Sequence, residues 1–180
     1  TAMNYEEGTK ICIGKDPRES SDIIEKTLSE NLSKSGINVD LLGVISTPVI
    51  SHAIINGDYE VGIMISASHN PYYDNGIKFF GKDGKKLSEK LELKIESSIE
   101  NIKVLENKTG TINVKSELVD KYVDFLVQGM PDLTGVKIGI DCANGSAYKI
   151  APTVFEKLGA DLTIIGNKPD GKNINEGIGS

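Results

Sequence analysis

One segment gathers more reactive side chains than any other: Ile65-Ser66-Ala67-Ser68-His69-Asn70-Pro71-Tyr72-Tyr73-Asp74-Asn75-Gly76-Ile77-Lys78. An apolar, strand-like run ends at Ala67, and a serine, an imidazole and a carboxamide follow at once in a turn fixed by Pro71. A hydroxyl held at the end of a rigid strand, beside a histidine able to handle its proton, suits nucleophilic attack or group transfer. Asn75-Gly76 makes a second tight turn that returns Lys78 toward the same loop. There an ammonium can act as a point charge for phosphate or as an acid/base group. Another strand-end loop, Asp16-Pro17-Arg18, supplies a guanidinium, the natural bidentate partner of phosphate oxygens. Ser, Asn, Pro, Asp and Gly are also the residues of any surface turn, and Arg18 alone suits a solvated charge equally. Residue types by themselves leave both interpretations open. His52, on an expected helix with no partner motif, is assigned to core or surface packing.

The elements that must position these groups alternate along the chain. Lys10–Gly14 predicts a strand, and a helix starts near Asp22, whose carboxylate is expected to cap it while Glu25 completes a capping box. Ile24, Leu28 and Leu32 then form a core-facing stripe, and Gly36 ends the helix. A strand over Asn38–Ile45 precedes a helix opened by Thr47-Pro48 and closed by Gly57. Strands follow over Tyr59–Ala67 and Ile77–Phe80, then a helix from about 88 to 103 with Leu91, Ile95, Ile99 and Ile102 on its core face. Residues 104–115 read as a polar break. Beyond them the pattern predicts a helix over Ser116–Gln128, a strand over Val136–Cys142, a helix over Ala147–Leu158 and a strand over Asp161–Ile165; Asn167–Ser180 has no apolar period. Strands separated by helices imply an α/β fold with a mixed, largely parallel sheet flanked by helices. A boundary near residue 110 gives a first unit over 1–110 and a second over 111–180, the latter too small to complete a core alone.

Composition narrows the class of function. The 180 residues are 38% hydrophobic and 26% charged, with 26 acidic residues against 20 basic and a net charge of −6. That balance argues against nonspecific nucleic-acid binding, which needs a basic face. Apolar runs such as Ile63–Ile65 fall far short of the roughly 20 residues of a membrane span, and no signal-peptide pattern opens the chain. No nucleic-acid or membrane partner is therefore expected. Cys12 and Cys142 sit in apolar, strand-like runs, as reduced core thiols of a cytoplasmic protein would.

Ser66-Ala67-Ser68-His69-Asn70-Pro71, followed by Asn75-Gly76-Ile77-Lys78, resembles the active-serine loop of the α-D-phosphohexomutases. Gly14-Lys15-Asp16-Pro17-Arg18-Glu19-Ser20 resembles the family's Gly-x-Asp-x-Arg loop. Asp141-Cys142-Ala143-Asn144-Gly145-Ser146-Ala147, Pro169-Asp170-Gly171 and Asn173-Ile174-Asn175-Glu176-Gly177 resemble the start of its second domain. The longer string through Phe79-Phe80 is most similar to the bacterial branch acting on glucosamine phosphate.

The resemblance implies interconversion of glucosamine 6-phosphate and glucosamine 1-phosphate through a phosphoserine and a 1,6-bisphosphate. Ser68 would carry the phosphoryl group and place its phosphate on Mg²⁺. His69 and Lys78 would serve acid/base chemistry and phosphate contact, and Arg18 and Asn70 would bind substrate or phosphate. The implied partner is a phosphorylated hexose or hexosamine. The family's metal loop, Asp-Gly-Asp-x-Asp-Arg, has no counterpart: Asp83-Gly84 and Asp170-Gly171 lack the further aspartates. The other metal ligands are accordingly expected outside this chain, which reads as most of a first domain plus the opening of a second and as nearly inactive alone. A phosphomannomutase or phosphoglucomutase, and an inactive domain acting only as a folding or interaction module, remain the alternatives.

Overall fold

The computed structural model describes residues 6–99 and 108–179. A five-stranded sheet is built from β1 (Lys10–Lys15), β2 (Asn38–Val44), β3 (Val61–Ile65), β4 (Ile77–Phe80) and β5 (Ile112–Val114), in the order β4-β3-β1-β2-β5. β1 lies parallel to both β2 and β3, β2 is parallel to β5, and only β4 runs antiparallel, against β3. The fold is therefore α/β with a mixed, largely parallel sheet flanked by helices, as the alternating pattern implied. Strands covered on both faces read as continuous apolar runs rather than alternations, and all five residues of β3 are buried.

The two faces have separate cores. Ile11, Ile13, Val39, Val61, Ile63 and Ile65 meet Ile24, Leu28 and Leu32 of α1 (Ser21–Lys34), the stripe expected of that helix. The opposite face sets Cys12, Leu42 and Met64 against Val49, Ile50, Ala53 and Ile54 of α2 (Thr47–Ile55). Gly62 lets α2 lie this close to the sheet. A Cβ there would stand 2.3 Å from Ile50 Cγ2 and 2.8 Å from Ile54 Cδ1. Gly62→Ala is expected to destabilise the fold by about 1–3 kcal/mol, as overpacking does. The midpoint of urea unfolding checks this, and an unchanged midpoint would mean that α2 can shift without cost.

Three local expectations are corrected. Asp22 and Glu25 do not cap α1: the helix begins one residue earlier, without a side-chain cap bond, and both carboxylates instead hold Lys15 Nζ, at 2.6 and 2.8 Å. Burial pulls the Lys15 ammonium down, but the bonds to the two acids outweigh it and raise its pKa. The helix expected near 88–103 is α3 (Glu89–Ile99), with Ile102 and Lys103 outside the described residues. It buries none of its described side chains, and Ile99 is 60% exposed. The break at 104–115 conceals β5, which pairs with β2 from Val39↔Ile112 to Leu41↔Val114 and completes the first sheet from beyond residue 110.

Residues 111–180 otherwise contribute α4 (Glu117–Gln128), β6 (Lys137–Asp141), α5 (Ile150–Lys157) and β7 (Asp161–Ile165), with β6 and β7 a parallel pair. Pro152 sits in the first turn of α5, where few helical donors are lost. Val123 of α4 and Ile150 and Val154 of α5 join the α2-side core, so this unit completes its packing on the first. His52 packs there edge-on against Tyr122 and tilted against Phe125, in keeping with a packing residue. Both cysteines are free and buried. No helix of the described residues is long and apolar enough to cross a membrane.

Candidate active site

Where β3 ends, the chain enters a cleft of about 260 Å³ lined from four sides. Ser66, Ser68 and His69 come from the loop after β3, and Lys78 comes from β4. Thr47 enters from the start of α2, and Gly145 and Ser146 from the turn after β6. Lys78 pairs opposite Met64 across the antiparallel β3–β4 ladder, on the α2 side of the sheet. The Asn75-Gly76 turn thus returns the lysine to the serine, as expected. Ser68 and His69 are exposed to the cleft, whereas Lys78 is half-buried.

The backbone here is held in uncommon conformations. Among the described non-glycine residues, those with left-handed φ are Ser68 (59°), Ala143 (49°), Asn144 (48°) and Asn175 (59°), all at or beside this cleft. Such conformations cost about 1–3 kcal/mol each and persist only where surrounding structure imposes them. For Ser68 the restraints are explicit. Its amide donates to Ser66 Oγ at 3.0 Å, and Ser66 N in turn donates to Gly76 O at 2.8 Å, closing the loop at its base. At the far side, Asp141 accepts from Ala143 N and Gly179 N, both at 2.8 Å. That pins the Gly-rich ending beside the cleft.

The sequence candidates divide. Ser68, His69 and Lys78 converge on one cleft, but Arg18 and Asn70 do not line it. Arg18 is only 2% exposed, and its guanidinium lies beneath the serine loop with all its donors engaged. Among the described residues it therefore offers the cleft no free donor for the expected phosphate contact. Asn70 turns its amide to Asp74 Oδ2 at 3.1 Å rather than into the cleft. Asn175 and Ser146, which the sequence places in motifs of the second domain without a site role, also line the cleft, which each reaches only through tertiary folding. Asp170-Gly171 is a turn, as expected: Asp170 Oδ1 accepts from Lys172 N and Asn173 N.

Cys142 lines the cleft as well, but burial, with the Asp141 charge adding to it, pushes its thiol up, away from the thiolate that a nucleophile needs. Among the described residues no group of three or more His, Cys, Asp or Glu could hold a metal ion. Mg²⁺ takes several oxygen ligands in near-octahedral geometry. Apart from the neutral oxygens of Thr47, Ser66, Ser68, Ser146 and Asn175, the cleft has one carboxylate, Asp16, whose oxygens are already bonded to Arg18 and Ser21. The described residues therefore do not make a magnesium site by themselves.

The mixed, largely parallel sheet and its helices thus set a hydroxyl, an imidazole and a lysine side chain around one cleft at the end of β3. The family model for "Phosphoglucomutase/phosphomannomutase, alpha/beta/alpha domain I" matches residues 1–106, and this chain belongs to that family. It is 47% identical over 175 residues to a phosphoglucosamine mutase of Deinococcus deserti, covering 95% of this chain and 40% of that protein. To the phosphoglucosamine mutase of Shewanella oneidensis it is 44% identical over 176 residues, again covering 95% and 40%. The chain thus spans about 40% of the length of these relatives. Among solved structures, a phosphoglucomutase/phosphomannomutase family protein of Burkholderia thailandensis superposes with a TM-score of 0.78 at 23% identity, over 91% of this chain and 37% of the other. That likeness bears on the fold alone.

Proposed function

We propose that this chain carries the phosphoryl-accepting serine of a phosphohexose mutase acting on glucosamine 6-phosphate and glucosamine 1-phosphate. The observation that carries the proposal is the convergence of Ser68, His69 and Lys78 on one cleft at the end of β3, in a chain 44–47% identical to phosphoglucosamine mutases. In the first half-reaction the phosphoryl group on Ser68 passes to the free sugar hydroxyl. The Oγ–P bond breaks as the sugar O–P bond forms, and the hydroxyl proton leaves to the imidazole of His69. The resulting 1,6-bisphosphate then returns its other phosphoryl group to Ser68 Oγ, and the proton goes back to the sugar oxygen released. Positioning and charge compensation do most of the work in such transfers. Lys78 supplies the positive charge facing a phosphate that carries about −1.5 to −2 near neutral pH.

In the same proposal residues 1–110 form the catalytic-serine domain, with β5 completing its sheet, and 111–180 begin the next. Magnesium would take one oxygen of the Ser68 phosphate and its other ligands from outside the described residues. The test is intact mass and phosphopeptide mapping of the full chain as the cell makes it, before and after incubation with glucose 1,6-bisphosphate and Mg²⁺. One added phosphate on Ser68 is expected. Phosphate elsewhere, or none under any condition, overturns the proposal and leaves a folding or interaction module.

A further inference from the structure

A guanidinium has five N–H donors in one plane, and Arg18 uses every one of them. Nε donates to Asp16 Oδ2 at 2.9 Å. Nη1 donates to Pro71 O and, at 3.1 Å, to Asp74 O. Nη2 donates to Ser68 O at 3.0 Å and to Asn70 O at 2.9 Å. Four main-chain carbonyls of a single loop, including that of Ser68 itself, thus converge on one buried cation. Oxygens gathered in this way repel one another unless a donor stands between them. The loop's curvature and the left-handed turn at Ser68 therefore depend on what fills its centre.

The clamp is rooted in the sheet. Asp16 is 1% exposed; its Oδ1 accepts from Arg18 N and from Ser21 Oγ, and its own amide donates to Ile65 O, the last residue of β3. Guanidinium, carboxylate and serine-bearing strand therefore move as one piece. Asn175 Nδ2 approaches the same Ser68 and Asn70 carbonyls from outside, at 3.5 and 3.4 Å.

We infer that Arg18 is a positioning residue: through the carbonyls of residues 68–74 it fixes the attitude of the Ser68 hydroxyl toward the cleft and makes no contact with the phosphate of the substrate. The inference rests on the phosphoryl-carrier reading of Ser68. Misplacing a reacting atom by 1 Å can cost about 10²-fold in rate, and lysine, with three donors on a tetrahedral head, cannot satisfy a planar fork of five.

Arg18→Lys keeps the charge and is expected to slow phosphate transfer at Ser68 at least tenfold, with KM for glucosamine 6-phosphate within twofold of the parent. A raised KM with kcat intact would make Arg18 a phosphate ligand and overturn the inference, as would unchanged kinetics. A measurement on the unaltered protein covers the case in which the variant fails to fold. The ¹⁵N resonances of the Arg18 guanidinium should exchange slowly with solvent and stay in place on saturation with glucosamine 6-phosphate, while amides of the 68–70 loop shift. Movement of the guanidinium resonances on binding would overturn the inference. Absence of any phosphate on Ser68 in the parent protein would defeat the carrier reading instead, and the guanidinium spectrum would still report whether Arg18 meets a ligand.

Discussion

Ser68→Gly is expected to abolish phosphate incorporation and to leave the fold at least as stable as before. Ser68 has φ 59°, in the left-handed region. An L side chain there costs about 1–2 kcal/mol and glycine nothing, although glycine gives back roughly 0.5–1 kcal/mol through the entropy of its unfolded chain. The hydroxyl makes no hydrogen bond to any described residue, since the Ser68 contacts run through its amide and carbonyl. Removing it therefore breaks nothing in the native state. The expected balance is between no change and a gain of about 1 kcal/mol. Phosphate uptake from glucose 1,6-bisphosphate should fall by at least about 10³-fold, because the covalent intermediate loses the oxygen on which it forms. Intact mass gives the first quantity and the urea midpoint the second. Phosphate uptake surviving in Ser68→Gly would remove Ser68 from the mechanism. A fall in stability of more than about 1 kcal/mol would mean that the serine side chain supports the fold, not only the chemistry.

That combination explains why the candidate site was only half legible in the sequence. The Ser68 loop could be read because its residue types are consecutive and mark both a strand end and a reactive hydroxyl. Lys78 could be added because Asn75-Gly76 dictates a reversal. Arg18 could be singled out, but not its contacts: besides Asp16, its acceptors are main-chain carbonyls 50 to 56 residues away, and a carbonyl leaves no trace in residue identity. Asp22 and Glu25 misled for a similar reason, since their spacing imitates a capping box while Lys15, projecting from β1, attracts both. The sheet was clear wherever strands are buried on both faces, as in β3. The three residues of β5 are all exposed and carry no period to detect. What ties β5 down is long-range: Asn113 Nδ2 donates to Asp40 Oδ1 at 3.0 Å, across 73 residues.

The same Asp40 underlies the second large effect, a steep loss of stability at alkaline pH. Asp40 is fully buried, accepts from Tyr59 OH at 2.7 Å and lies beside Cys12 in the β1–β2 register. Burial first, and then the Asp40 charge, push the Cys12 thiol from 9.0 up to about 12. Burial and the bond to Asp40 likewise raise Tyr59 beyond the ordinary phenol range. Above pH 9 the unfolded thiol has lost its proton while the folded one keeps it. The native state then binds more protons, and stability falls as pH rises, by about 1.4 kcal/mol per unit for each such group. Across the window from 9 to about 12 Cys12 accounts for a loss on the order of 4 kcal/mol, a large share of the roughly 5–15 kcal/mol that holds a domain together. Cys142, also raised by burial, acts with the same sign. Tyr59 and Lys10 add to the slope only beyond their ordinary values of 10.0 and 10.5, so the interval between pH 9 and 10 belongs mainly to the thiols. Urea midpoints at pH 8, 9 and 10 should decline in the parent. They should decline much less in Cys12→Ala, whose smaller side chain costs about 1–2 kcal/mol at neutral pH but removes the proton linkage. An equal decline in both proteins would mean that Cys12 ionises as freely in the fold as outside it, and the charge buried at Asp40 would then not reach across the β1–β2 pair.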